Sequence, residues 1–242
     1  MNTVNQTASL PAAESAINRI KAEHRALACI LGGIQVLVAR YREPASVPDF
    51  DLLDLMLRYI ENVPDRVHHP KEDRVLFPAI ALRARDGKAL VRELERDHAR
   101  GAPMLAELRR AFRVFREGGV NAINQLATAA DEFTEFYWYH MRKEEEQLLP
   151  LAAVTLSQED WQRVDSAFSN NGDPLFDAEL TDEYCRLYEQ IIELTPHPLK
   201  SLLESAAINS SGRDEALTTR KKAGNRLLKL CCYATTRVKI PQ

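Results

Sequence analysis

The chain has 242 residues, is 45% apolar and 28% charged, and carries a formal net charge of −3, a soluble globular composition with no global pull toward nucleic acid or a membrane. No uninterrupted apolar run reaches the ~20 residues of a membrane helix, and the first twenty residues lack the basic start and apolar core of a signal peptide. Cys29, Cys185, Cys231 and Cys232 show no ligand-like spacing, so the expectation is reduced thiols in a cytoplasmic protein.

The pattern is helical nearly throughout, and no strand is predicted. Ile17, Ile20, Leu27, Ile30, Leu31, Ile34, Val38 and Tyr41 keep the three-and-four spacing of an amphipathic helix, from about Glu14 to Tyr41. Pro44 and Pro48 close it. A second helix starts behind Asp49, a good N-cap, and continues to about Arg85. Pro64, Pro70 and Pro78 predict a kink or break within it, because proline removes a helix hydrogen bond and crowds the preceding turn. The third helix spans about Lys88 to Glu117 and stops at Gly118-Gly119. The fourth spans about Val120 to Leu149 and ends at Pro150. Four long helices with short links predict an all-α, up-down-up-down four-helix bundle over residues 14–152.

A C-terminal helical extension is expected over 153–207, packed on the bundle. Its first helix starts at Ser157, where Ser157 and Asp160 form a capping-box-like S-x-x-D, and ends before Asn170. A further helix covers about 178–194, and INSSGRD at 208–214 reads as a loop. Residues 208–242 form a basic tail; from Arg213 onward, eight Lys/Arg against two Asp/Glu give +6 (8 − 2).

Two stretches repeat. HHPKEDRVLFP at 68–78 aligns with HMRKEEEQLLP at 140–150, so His68 falls on His140, Glu72 on Glu144 and Pro78 on Pro150. Each stretch follows a helix with a single histidine, His24 in AEHRAL and His98 in RDHARG. At roughly 1.5 Å per residue, His24 and His68 lie about 26–29 Å from their shared helix–helix turn, and so at one height. His98 and His140 are matched in the same way. Residues four apart share a helix face, so His68 points with Glu72 and His140 with Glu144. His69 aligns with Met141 and points about 100° away from His68, which leaves it a candidate extra ligand or a group behind the ligands.

Any one of these histidines alone reads as a hydrogen-bonded core residue, and RKEEE reads as a solvated face. The set changes the reading. Four imidazoles and two carboxylates would converge at one level inside an apolar bundle, where unpaired buried carboxylates cost several kcal/mol each. Two divalent metal ions remove that cost. Imidazole with carboxylate suits iron, manganese or zinc. Asp73 and Glu145 are alternative carboxylate ligands if a helix is distorted.

The motifs EH at 23–24, HHPKEDRVLFP at 68–78, DH at 97–98 and HMRKEEEQLLP at 140–150 resemble those of the hemerythrin-like, HHE cation-binding family. The resemblance implies a four-helix bundle around a non-haem di-iron centre. Its ligands would be His24, His68, Glu72, His98, His140 and Glu144, with both glutamates bridging the metals. Oxygen-carrying members place a second histidine four residues on in the third helix, where this chain has Ala102, and an aspartate five after the last histidine, where it has Glu145. The chain therefore looks like the four-His, two-Glu branch. That branch is associated with oxygen, nitric oxide or iron sensing, and with nitric oxide handling or repair of iron centres. No general acid or base is visible beyond the ligands, so an enzymatic activity is not demanded. Tyr137, three residues before His140, is the one nearby hydroxyl that could face a bound diatomic.

Overall fold

The computed structural model describes residues 11–43, 46–118 and 122–169. Among these residues there is no strand. Helix α1 spans Pro11–Tyr41, with Ile17 partly buried and the rest of its periodic apolar residues buried. The Tyr41 hydroxyl donates to the Asp49 carbonyl at 2.6 Å, tying the end of α1 to the start of the next helix. Asp49 is the N-cap of α2 (Phe50–Asn62), accepting from the Leu52 amide at 2.9 Å.

The second rod does not break at its prolines. It continues through a π-helical turn at Pro64–His68, a short α3 (His69–Lys71), a second π turn at Glu72–Leu76, and α4 (Phe77–Arg83). In the first π turn the Val63 carbonyl accepts from both Val67 (3.0 Å) and His68 (3.1 Å), so the extra residue is absorbed without losing backbone pairing. Pro64 opens the first π turn, and Pro70 and Pro78 each sit at the start of the helical segment that follows a π turn, where a missing N–H costs least.

After Ala84, α5 runs over Gly87–Gly118. A Cβ on Gly87 would lie 2.9 Å from both Ile80 and Leu151, so glycine lets α5 start close against its neighbours. Helix α6 (Ile123–Lys143) leads into a third π turn at Glu144–Leu148 and then α7 (Leu149–Thr155). The fourth rod therefore runs past Pro150, where the sequence pattern ended it. As in the first repeat, the π turn comes before the proline and accommodates it. Finally, α8 (Gln158–Ser169) packs along α1. Its capping box is formed: Asp160 Oδ2 accepts from the Ser157 amide (3.0 Å) and hydroxyl (2.7 Å). The expected helix at 178–194, the loop at 208–214 and the basic tail lie outside the described residues.

The fold is the all-α bundle expected: α6 packs along α1 and α5, while α2 and the π turns fill the remaining corner. By length and composition α1 would be long enough to cross a membrane, but most of its apolar window is buried inside the bundle. The apolar interior is split into two clusters. One gathers Leu27 to Tyr41, α2 and the facing halves of α5 and α6. The other gathers Ala13 to Ile20, α4, α7, α8 and the start of α5. Along α1, His24 falls between Ile20 of one cluster and Leu27 of the other; along α5, His98 falls between Leu94 and Leu105. A polar layer is thus held between two apolar ones.

Candidate metal centre

That layer draws on all four rods. Helix α1 contributes Glu23 and His24, residues 65–73 contribute Asp65, His68, His69, Glu72 and Asp73, and α5 contributes Asp97 and His98. Helix α6 and the turn after it contribute Tyr137, His140, Lys143, Glu144 and Glu145. The six sequence-predicted residues come together here. His24, His68, Glu72 and Glu144 form one buried group; His98, His140 and the same two glutamates form a second. Within each group one ligand atom per residue lies within 4.8 Å of the others.

The glutamates join the two groups. Glu72 sets Oε1 3.3 Å from His68 Nε2 and Oε2 3.4 Å from His98 Nε2. Glu144 sets Oε2 3.2 Å from His24 Nε2 and Oε1 3.3 Å from His140 Nε2. The facing nitrogens of His24 and His68 are 3.2 Å apart, as are those of His98 and His140. Two donor atoms bonded to one ion at about 2.1 Å stand roughly 3.0–3.4 Å from each other.

Hydrogen bonding alone leaves this layer unsatisfied. All four carboxylate oxygens of Glu72 and Glu144 are buried with no hydrogen-bond partner. Buried polar atoms are rarely left so, because each forfeits its hydration. A cation between each imidazole pair and the two glutamates satisfies all of them, so these residues fit a pair of metal ions.

A ring of outer carboxylates completes the layer. His24 Nδ1 donates to Glu145 Oε1 at 3.0 Å, His98 Nδ1 donates to Asp73 Oδ1 at 2.8 Å, and His68 Nδ1 donates to Glu23. His140 Nδ1 faces Asp97 Oδ2 at 3.8 Å, and Asp97 accepts from the buried ammonium of Lys143 at 2.7 Å. Carboxylates behind metal-binding imidazoles fix the ring orientation and raise ligand basicity. Asp73 and Glu145, read from sequence as alternative ligands, stand behind His98 and His24 instead. Sequence reasoning missed Glu23 and Asp97, although an acidic residue precedes the single histidine of each repeat. It also read Lys143 as solvated, whereas its side chain is 3% exposed between Asp97 and Glu93.

The site has an appetite for positive charge. Burial pushes the His24 pKa down, but Glu144 and Glu145 outweigh it and raise the value to about 9. His98 reaches about 10 against its own burial, through Asp73, Glu72 and Glu144. Burial would raise Glu72, yet His68 and His98 hold it well below the usual carboxylate range.

His69, expected about 100° round the helix from His68 as an extra ligand or outer group, is brought against His98 and His140. The second rod stands at a corner of the bundle, so residues 100° apart can face different neighbours. His68 faces α1, while His69 is buried against α5 and α6. Burial lowers its pKa to about 4 and keeps it neutral. The Tyr137 hydroxyl donates to Asp65 Oδ1 at 2.8 Å, so that proton is engaged with a carboxylate and not held free.

Fold and site together define a helical bundle with a buried His/Glu layer that could hold metal. The sequence matches the family described as the Hemerythrin HHE cation binding domain over residues 15–152, and the chain belongs to that family. No curated protein and no solved structure matches the chain.

Proposed function

We propose that the chain is a non-haem di-iron protein that binds or senses dioxygen, nitric oxide or iron status, with His24, His68, Glu72, His98, His140 and Glu144 as metal ligands. The observation that carries this reading is the pair of buried glutamates whose four oxygens have no partner other than imidazole nitrogens. Family membership supports iron, while the donor set also accommodates manganese or zinc. Bound iron(II) supplies a redox-active centre with affinity for small diatomic molecules.

The chain's own residues supply position and insulation. The outer carboxylates orient the imidazoles. Phe77 lies stacked 5.3 Å from His98, Phe168 stands edge-on 5.8 Å from His68, and Phe136 lies 6.5 Å from His140, together limiting water. The Tyr137 proton is committed to Asp65. This favours binding or sensing over catalysis by a di-iron enzyme that reduces nitric oxide or peroxide, delivers iron or repairs iron centres. Anaerobically reduced protein given dioxygen or nitric oxide should show a stoichiometric spectral change without turnover. Sustained consumption would assign the enzymatic role instead, and no spectral response would overturn both readings.

A further inference from the structure

Helix α5 carries a charge pattern that the metal layer does not use. Lys88, Arg92, Arg96 and Arg100 recur every four residues and form one ridge about 18 Å long. All four are exposed, and none forms an ion pair among the described residues. Like charges one turn apart repel and weaken a helix, so a solvated face gains nothing from three such pairs in succession. Further along α5 the pattern is the ordinary one: Arg109 is paired with Asp54 and Glu61, and Arg110 with Glu107.

The ridge runs into the seam between α5 and α6, level with the metal layer. The Arg100 guanidinium lies 5.1 Å over the half-buried ring of Phe136, and that ring is stacked 6.5 Å from His140 with planes at 14°. Phe136 therefore stands against both an exposed cation and an imidazole of the layer. Beside it Tyr139 is 56% exposed, with Arg142 and Lys143 over its ring. Glu132, one turn before Phe136, and Glu135 are exposed and bound the basic area along α6. A narrow basic face with acidic edges suits an acidic protein surface better than a nucleic acid, whose phosphates continue past the patch.

We propose that this ridge and seam dock an acidic one-electron carrier protein, which delivers an electron to the metal centre at its His140 side. The carrier loses one electron and ferric iron gains it, with no bond made or broken. Complexes of this kind are small and brief, and opposite charge speeds their encounter. The delivery role rests on the di-iron reading; the docking face does not.

The test uses the full chain and a plant-type two-iron ferredoxin, an acidic one-electron carrier, as probe. Calorimetric binding to the zinc-loaded chain, and stopped-flow reduction of the oxidised iron-loaded chain, are measured at about 20 mM and about 500 mM salt. The wild type should bind ferredoxin and be reduced by it at low salt, and lose both at high salt. Arg96→Glu/Arg100→Glu should lose about tenfold or more in affinity and rate at low salt, while its Tm stays the same and its reduction by dithionite changes less than about twofold. Arg113→Glu, exposed on the same helix away from the ridge, should behave as the wild type. Equal affinity and rate in the double variant and the wild type, or binding insensitive to salt, would reduce the ridge to a solvated face and overturn the proposal. Short duplex DNA that binds more tightly than ferredoxin and is released by the same double variant would overturn the choice of partner. A wild type that binds ferredoxin but is not reduced by dithionite would overturn the di-iron reading and electron delivery with it, and leave the docking face standing.

Discussion

Glu72 and Glu144 are fully buried at matching positions, each opening a π-helical turn and each turning one oxygen toward either histidine pair. The proline six residues after each is part of the arrangement. Pro78 and Pro150 cannot sit inside a regular helix without a clash, and the π turn that relieves it begins at the glutamate. The register change also presents the next residue, Asp73 or Glu145, to the Nδ1 of a histidine on another rod.

Removing either bridging carboxylate should therefore strip metal. Glu72→Ala and Glu144→Ala should each lose at least half of the bound metal. Glu146→Ala should retain it and shift stability by no more than about 0.5 kcal/mol, because Glu146 is a surface residue with its side chain 67% exposed. Metal analysis of the three purified variants decides this, and equal loss in all of them would contradict the assignment.

The outer carboxylates should tune affinity without setting the number of ions. Glu23→Gln and Asp97→Asn should each weaken metal binding about 10–100-fold while leaving the saturated metal content unchanged. Competition with a chelator of known affinity reads this directly. Wild-type affinity in both variants would reduce Glu23 and Asp97 to packing residues.

The bundle and its polar layer were legible because heptad-like spacing, helix lengths and the repeated H-x-x-x-E depend on local periodicity. Measuring from the turns was enough to bring His24, His68, His98 and His140 to one height. What could not be read depends on rods meeting one another. Lys143 looks solvated in RKEEE, and only the approach of α5 supplies Asp97 and Glu93 to bury it. Helical periodicity alone leaves the role of His69 open, and only the place of its rod at a corner, facing both α1 and α5, sets it against His98 and His140. The prolines were read as a kink or break within the second rod and as the end of the fourth, whereas π turns carry the second through to Arg83 and the fourth on to Thr155.

Away from the metal layer, Asp160 anchors α8. Burial would raise its pKa, but Ser157, Arg83 and Arg163 outweigh that and hold it near 2, below the ordinary 3.8. A depressed carboxylate pKa contributes stability that is present above 3.8 and is lost as pH falls through 3.8 toward 2. Asp160→Asn should cost about 1 kcal/mol near neutral pH, as the loss of a cap typically does. The gap to wild type should narrow between pH 4 and pH 2. Denaturant titrations across that range check both points; a gap independent of pH would contradict the ionic role.

Because the ligands converge only in the folded bundle, metal should stabilise it. Free metal at about 100 times Kd contributes roughly 2.7 kcal/mol. For a chain of this size that is about 5–10 °C in Tm. Calorimetry of metal-loaded and chelator-treated protein should show this difference, and superimposable melts would argue against a buried site.

Two shared glutamates and four histidines are placed to hold a pair of metal ions. The most direct measurement is the metal content of protein expressed with ample iron and purified without chelator. The account predicts about two metal ions per chain, iron foremost; no more than trace metal in folded protein would contradict it.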